Sequence, residues 1–144
     1  MNVQCYLNFN GRCEEALNFY TKTIDAKVGM MMRFKDAPPQ PGAAPSEGCA
    51  SIDPNSVMHS SFTVGDTLLM ATDGMMDKPS NFDGFSLALT VKETAEVDKM
   101  IGALSGEGGK ATIPASETFF AKRFGMVQDK FGVHWMVIAP KPMG

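Results

Sequence analysis

The chain has 144 residues, of which 44% are hydrophobic and 20% are charged, and its formal net charge at pH 7 is -3. This length and composition are sufficient to bury one hydrophobic core, which excludes a disordered chain. There is no block of Lys or Arg, so the concentrated positive charge that nucleic acids and anionic membranes require is excluded. The chain also has no leader-like N-terminus and no run of about 20 apolar residues. It is therefore predicted to be cytoplasmic, with small molecules or proteins as partners.

The three cysteines, Cys5, Cys13 and Cys49, are an odd number without zinc-type spacing. Such usage is typical of a reducing compartment, where thiols stay free. Each of them is interpreted as a small buried hydrophobic residue rather than a reactive group.

The first half of the chain predicts a strand, a helix and three more strands. Residues 3–9 alternate apolar and polar side chains, which is the period of a half-buried strand. Apolar residues at helical spacing over residues 13–24 predict a helix. Residues 26–34 predict a second strand, and residues 57–73 predict two strands joined by a turn at Gly65.

Residues 35–56 interrupt this pattern with five prolines and several small residues. Such a composition prevents regular strand pairing, so the segment is predicted to be a loop. A loop of this length is either a lid over a binding site or a surface excursion, and the sequence leaves both alternatives open.

The second half repeats the plan of the first. Residues 84–91 alternate as a strand does, and apolar residues at helical spacing follow over residues 97–104. Residues 108–119 and 122–138 predict another strand and a hairpin. The chain is therefore predicted to be one α+β domain over residues 1–144, built from tandem βαβββ units at about 1–74 and 82–140.

Three stretches carry a resemblance to a known family: "YLNFNGRCEEALNFYTKTIDAKV", "HSSFTVGDTLLMATD" and "RFGMVQDKFGVHWMV". Together they resemble the PhnB-like branch of the glyoxalase/bleomycin-resistance/dioxygenase superfamily, also called the vicinal oxygen chelate fold. The resemblance covers nearly the whole chain. It implies that each βαβββ unit curls into a half-cup with its helix on the outer face, and that two chains form a homodimer.

Superfamily members that use a metal ion place His, Gln or Glu ligands on the first and fourth strands of each unit. Aligning Leu7 with Leu89 places Gln4 and Ser86 at the first-strand position. Counting without gaps from the following helix places Cys5 there instead, and adjacent strand residues point to opposite faces. We prefer Gln4, because Leu7 is expected to face the helix.

The fourth-strand positions follow from aligning the two hairpin turns. Matching Gly65 with Gly132 pairs Leu69 with Met136. A hydrocarbon and a weak thioether then stand where a divalent ion needs anionic oxygens. The sequence therefore predicts that no metal ion and no other cofactor is bound.

Glu117 is the acidic residue with the most interesting neighbours. It lies in a predicted strand beside Phe119 and Phe120, and one interpretation of it is a general base of raised pKa. The alternative is an ordinary carboxylate that faces solvent or pairs with Arg123. Phe119 either stacks on a ligand or packs in the core.

Histidine and methionine supply the remaining candidates. His59 and His134 are the only two histidines. His134 is two residues before Met136 and is predicted to lie on the same face of the strand. A single histidine in a strand is either structural or catalytic. The methionines of the predicted strands either line an adaptable pocket for flat apolar ligands or fill the core. These are Met30, Met31, Met32, Met70 and Met136.

Three classes of function follow. The preferred one is metal-independent binding of a small organic molecule in an apolar cup. The alternatives are a glyoxalase-type lyase, isomerase or hydrolase that uses Glu117, His134 or Tyr6, and a non-catalytic interaction module. Relatives also carry a methyltransferase label, which we discount because no glycine-rich strand-to-helix turn is predicted. The predicted ligand-binding residues are Gln4, Tyr6, Leu69, Ser86, Glu117, Phe119, His134 and Met136.

Overall fold

The computed structural model describes residues 1–37, 53–75 and 79–142. The chain divides into two compact units, Met1–Ser80 and Asn81–Gly144. Within the ranges that the structure describes, each unit contains one α-helix and one four-stranded sheet. Most of the segment proposed as a lid, residues 35–56, lies outside the described residues, as does Cys49.

The first unit forms its sheet from four strands in the order β1-β4-β3-β2. Strand β1 is parallel to β4, whereas β3 is antiparallel to both of its neighbours. Its described elements are β1 (Tyr6–Asn8), α1 (Cys13–Ile24), β2 (Lys27–Arg33), a one-turn 3-10 helix (Phe34–Asp36), β3 (Val57–Val64) and β4 (Thr67–Thr72).

The second unit repeats this topology, with the strand order β5-β8-β7-β6 and a parallel pair formed by β5 and β8. The α+β class and the tandem βαβββ pattern predicted from the sequence are therefore confirmed. In the described ranges, neither α-helix has the length and apolar character needed to cross a membrane. The elements are β5 (Leu87–Thr90), α2 (Thr94–Leu104), a one-turn 3-10 helix (Gly106–Gly108), β6 (Lys110–Ser116), β7 (Ala121–Gln128) and β8 (His134–Pro140).

Helix α1 covers one face of the first sheet. Its buried Tyr20 stacks on Phe62 of β3, with ring centroids 6.1 Å apart, and lies 6.2 Å from the ring of Phe9. Leu7 is buried as well, whereas the neighbouring Tyr6 is exposed. Leu7 therefore lies on the helix-covered face, as its alternation predicts. We call the opposite surface, formed by Tyr6, Met30, His59, Ser61 and Met70, the first open face.

Helix α2 covers the second sheet in the same way. Gly125 of β7 lies under the helix, because a Cβ atom built there would be 3.0 Å from Ile101 Cδ1. The buried side chains of Trp135 and Val137 share this covered face with Gly125. The alternate residues form the second open face: Ala88, Phe124, Met126, His134 and Met136.

A buried aspartate organises the start of α1. The preceding residue, Arg12, makes no side-chain capping hydrogen bond. Asp73 Oδ1 instead accepts hydrogen bonds from the N–H groups of Gly11 and Cys13, each at 2.8 Å. Asp73 Oδ2 accepts a third, from Val57 N–H at 2.8 Å. The end of β4 thereby joins the helix start, whose N–H groups lack intrahelical partners, to β3.

A second buried aspartate organises the turn between β7 and β8. Asp129 Oδ1 accepts hydrogen bonds from Phe131 N–H at 2.9 Å and Val133 N–H at 3.0 Å. Its Oδ2 accepts one from the indole N–H of Trp135 at 2.9 Å. The carboxylate therefore holds the turn against the covered face of the sheet.

Candidate functional site

Strand pairing identifies equivalent positions on the two open faces. Tyr6 on β1 lies beside Met70 on β4, and Ala88 on β5 lies beside Met136 on β8. The fourth-strand positions of the two units are therefore Met70 and Met136. Both side chains are half-buried thioethers.

The predicted pairing of Leu69 with Met136 is wrong by one residue. Leu69 lies opposite Phe62 on the helix-covered face and is only 5% exposed. The cause is a difference between the hairpins: β3 and β4 are joined over residues 65–66, whereas β7 and β8 are joined over residues 129–133. Glycines in turns of different length are not equivalent positions, and a shift of one residue moves a side chain to the other face.

Gln4 and Ser86 lie just before the first strand of their units, and both are exposed. Cys5 is partly buried, and its carbonyl oxygen accepts a hydrogen bond from Met70 N–H at 2.9 Å. The side chain that stands beside Met70 belongs to Tyr6. A ligand-binding role for Gln4 or Ser86 stays a prediction.

The first open face brings Tyr6 and His59 together. The hydroxyl oxygen of Tyr6 is 3.3 Å from Nδ1 of His59, and the ring centroids are 5.6 Å apart. Sequence reasoning noted His59 but gave it no role. Its spacing from Phe62 could have placed it on the open face, because residues three apart in a strand point to opposite faces.

On the second open face, the histidine has a carboxylate as its partner. His134 Nε2 lies 3.0 Å from Asp83 Oδ1. His134 and Met136 share this face, opposite Gln128 and Met126 of β7 respectively. An imidazole in contact with a carboxylate therefore lies next to the thioethers.

Glu117 does not lie in a strand, because β6 ends at Ser116. Its side chain is 70% exposed and forms an ion pair with Lys141, with Oε2 3.2 Å from Nζ. The predicted alternative partner, Arg123, instead binds Asp98 at 2.9 Å. The exposed, ion-paired carboxylate corresponds to the solvent-facing alternative for Glu117.

Phe119 also lies outside the strands, and it is 92% exposed. Its ring makes an edge contact with Phe120, with centroids 5.1 Å apart, and Phe120 contacts Phe124 at 5.4 Å. The aromatic cluster therefore extends from the turn to the second open face. Whether Phe119 binds a ligand stays a prediction.

The residues at and beside the two fourth-strand positions do not fit a divalent ion. Met70 and Met136 offer only thioether sulfur, and their first-strand neighbours are the phenol of Tyr6 and the methyl group of Ala88. Zn²⁺, Mn²⁺ and similar ions favour imidazole, thiolate and carboxylate ligands. Over the described part of the chain, no three His, Cys, Asp or Glu residues are grouped as metal ligands.

The two described cysteines are free. Burial raises the pKa of the Cys13 thiol to about 12, although a hydrogen bond with Ser60 acts in the opposite direction. Burial also raises the pKa of Cys5. Thiols that stay protonated are poor nucleophiles, so neither residue has the character of a reactive cysteine.

Two mixed sheets, each covered by a helix on one face and open on the other, define the class of protein. A glyoxylase/bleomycin resistance protein/dioxygenase domain from Frankia sp. EAN1pec has a TM-score of 0.62 to this structure, covering 97% of this chain and 95% of that one. Its sequence identity is 14%, so the similarity concerns the fold alone. The protein has the glyoxalase/bleomycin-resistance fold.

The family follows from closer similarities. A family model described as 3-demethylubiquinone-9 3-methyltransferase matches residues 1–138. Protein PA1353 from Pseudomonas aeruginosa is 33% identical, with a TM-score of 0.78 and 96% of each chain covered. The PhnB protein from Bacillus cereus is 26% identical, with a TM-score of 0.75 over 96% of this chain and 98% of that one. The chain belongs to this PhnB-like family, which confirms the resemblance found in the sequence.

Proposed function

We propose that this protein binds a small organic molecule on the open faces of its sheets without using a divalent metal ion. One observation carries the proposal: each open face places a methionine, Met70 or Met136, at the equivalent fourth-strand position and also carries a histidine with a polar partner. Thioethers provide flexible, polarizable apolar surface, and imidazoles provide directional hydrogen bonds. This combination suits an organic ligand with a polar group.

The family description names a methyltransferase, an activity that requires a methyl donor. Nucleoside cofactors are commonly held at a glycine-rich turn between a strand and a helix. The connection from β1 to α1, residues 9–12, contains one glycine, Gly11, and its N–H already donates to Asp73. The connection from β5 to α2, residues 91–93, contains no glycine. These residues do not fit such a cofactor, and we propose no methyl-transfer step.

A second candidate function is metal-free acid–base catalysis. The contact between the Tyr6 hydroxyl and the His59 imidazole favours it, because a phenol and an imidazole within hydrogen-bond reach are able to exchange a proton. Substrate turnover that is lost in His59→Gln, while the substrate still binds, would distinguish this enzyme from a binding protein.

The binding proposal is tested with 8-anilinonaphthalene-1-sulfonate, whose fluorescence increases on apolar surfaces. Met70→Gln together with Met136→Gln should weaken probe binding about tenfold, because a polar amide replaces the apolar thioether. Met100→Gln on helix α2 is the matched control, since Met100 is also half-buried, and it should change binding less than about twofold. Equal binding by all variants would contradict a site on the open faces and favour a non-catalytic interaction module.

The metal-free part of the proposal has its own measurement. Elemental analysis of the purified protein should find well under one equivalent of Zn, Mn, Ni or Fe, because thioethers replace carboxylates at Met70 and Met136. Stoichiometric metal that is lost on substitution of His59 or His134 would overturn this part and leave the binding test unaffected.

A further inference from the structure

The lengths of neighbouring side chains define what we call the depression at the centre of the first open face. Ser61 of β3 lies between Met70 on β4 and Met30 on β2, so a short side chain is flanked by two long ones. Adjacent strands are about 4.8 Å apart, which separates the two methionine backbones by about 10 Å. One flat ring fits between the two side chains in that width. Strand β2 has a β-bulge beside the depression, where its register shifts at Gly29.

Gly29 itself has a role in this geometry. A Cβ atom built there would be 3.1 Å from Ser61 Oγ, closer than most such contacts. Its absence leaves the serine hydroxyl uncrowded. Bulges of this kind often occur next to binding sites, where they redirect side chains.

The polar edge of the depression is formed by Tyr6 and His59. Their contact of 3.3 Å is compatible with either imidazole tautomer. When the phenol donates to Nδ1, Nε2 carries the proton and is a donor; when Nδ1–H donates to the phenol, Nε2 is an acceptor. The pair therefore matches a ligand oxygen that either accepts or donates a hydrogen bond, which is a carbonyl or a hydroxyl.

We propose that the depression over Ser61 binds a planar aromatic ring with a hydroxyl or carbonyl oxygen. The ring lies between Met30 and Met70, and its oxygen binds the pair of Tyr6 and His59. Sulfur contacts with aromatic rings are favourable, which selects a ring over an aliphatic chain of similar size. The inference rests on the proposed function and names the ligand class and the residues of one unit.

Two probes of nearly equal shape test this inference. 4-Nitrophenol has the hydroxyl group, nitrobenzene lacks it, and both are titrated at a pH where the phenol is neutral. The protein should bind 4-nitrophenol more tightly. Tyr6→Phe and His59→Gln should each weaken 4-nitrophenol binding about tenfold, the effect of one lost hydrogen bond, while nitrobenzene binding changes less than about twofold.

Two further variants test the walls and the floor. Ser61→Leu fills the depression and should weaken the binding of both probes about tenfold or more. Met30→Gln should also weaken both, whereas the neighbouring Met31→Gln should not, because Met31 pairs with Ser60 on the covered face. Thermal melting of each variant shows whether it is folded.

The outcomes separate the two proposals. If 4-nitrophenol binds equally well in Tyr6→Phe, His59→Gln and the unaltered protein, the inference is wrong and the proposed function stands. If 4-nitrophenol fails to bind but the naphthalene probe still depends on Met70 and Met136, again only the inference is wrong. If the binding of 4-nitrophenol and the binding of the naphthalene probe are both independent of every open-face residue, both proposals are wrong.

Discussion

The carboxylate of Asp73 links three parts of the first unit through separate N–H donors. Its two oxygens accept bonds from Gly11, Cys13 and Val57, all at 2.8 Å. Bonds to a charged acceptor stabilise a protein by about 1.5–3 kcal/mol, and an unpaired buried donor is costly. Asp73→Asn should therefore lower the free energy of unfolding by about 1.5–3 kcal/mol.

Urea denaturation measures this effect, with Asp66→Asn as the matched control. Asp66 is exposed in the turn between β3 and β4, where asparagine is a favourable residue. The control should change stability by less than about 0.5 kcal/mol. Equal denaturation midpoints for the two variants would show that Asp73 contributes no more than a surface carboxylate.

The thiol of Cys13 predicts a pH dependence of stability. Burial raises its pKa from the usual 9.0 to about 12 in the folded protein. Above pH 9.0 the unfolded thiol ionises while the folded one stays neutral, so this residue lowers the free energy of unfolding as pH rises towards 12. Below pH 9.0 it contributes no such dependence.

Replacement with alanine removes the titrating group. Cys13→Ala should therefore lose stability less steeply than the unaltered protein when urea midpoints are compared from neutral pH to above pH 9.0. Both proteins titrate the same tyrosines and lysines, so the difference in slope reports Cys13. Parallel pH profiles would contradict the effect of burial on this thiol.

Some site residues were predictable and others were not, for physical reasons. Alternation placed Leu7 on the covered face and Tyr6 on the open one, because the strand period of two is local. The position of Glu117 depended on where β6 ends and on the presence of Lys141. The contact between Tyr6 and His59 joins residues far apart in the chain, which no local period encodes.

At the scale of elements, two glycines in helix α2 and the sheet beneath it differ in the space that surrounds them. A Cβ atom at Gly125 would be 3.0 Å from Ile101 Cδ1 and 3.2 Å from the backbone of Ala115. A Cβ atom at Gly102, within α2, would have no heavy atom within 4 Å. The same substitution should therefore have opposite effects at the two positions.

Gly125→Ala should destabilise the protein by about 1–3 kcal/mol, because the Ile101 side chain and the β6 backbone at Ala115 must both move to make room. Gly102→Ala should stabilise it by about 0.5–1 kcal/mol, because alanine favours the helical conformation. Thermal unfolding measures both variants under the same conditions. A stabilising effect of Gly125→Ala would show that Ile101 and the β6 backbone are not closely packed around Gly125.

The strands were predicted more reliably than their correspondence between units. Each strand shows its own apolar alternation, which needs no information from elsewhere in the chain. The match between β4 and β8 depends on turns over residues 65–66 and 129–133, whose lengths are not encoded by the strands. The buried Asp129 holds the longer turn, a contact that only the structure reveals.

At the scale of the whole molecule, the repeat was visible in the sequence because both halves carry the same order of periods. The structure preserves this order as two sheets of identical strand topology. The two halves differ on their open faces, where Tyr6 stands in one unit and Ala88 at the equivalent position in the other. Duplicated topology therefore gives no guarantee of duplicated chemistry, which must be established residue by residue.

We propose that the chain forms a homodimer in which edge strand β2 is covered. An unpaired edge strand is able to form hydrogen bonds with a strand of another chain. Strand β2 contains no proline, and its Val28 is 42% exposed. Edge strand β6 contains Pro114, which opposes such pairing. Light scattering should give about twice 15.5 kDa. Val28→Lys should lower this mass, because lysine on an edge strand opposes pairing, while Val3→Lys, at an exposed position before β1, should not. A mass of 15.5 kDa for the unaltered protein would contradict the dimer, and dissociation by Ile113→Lys instead would place the contact on β6.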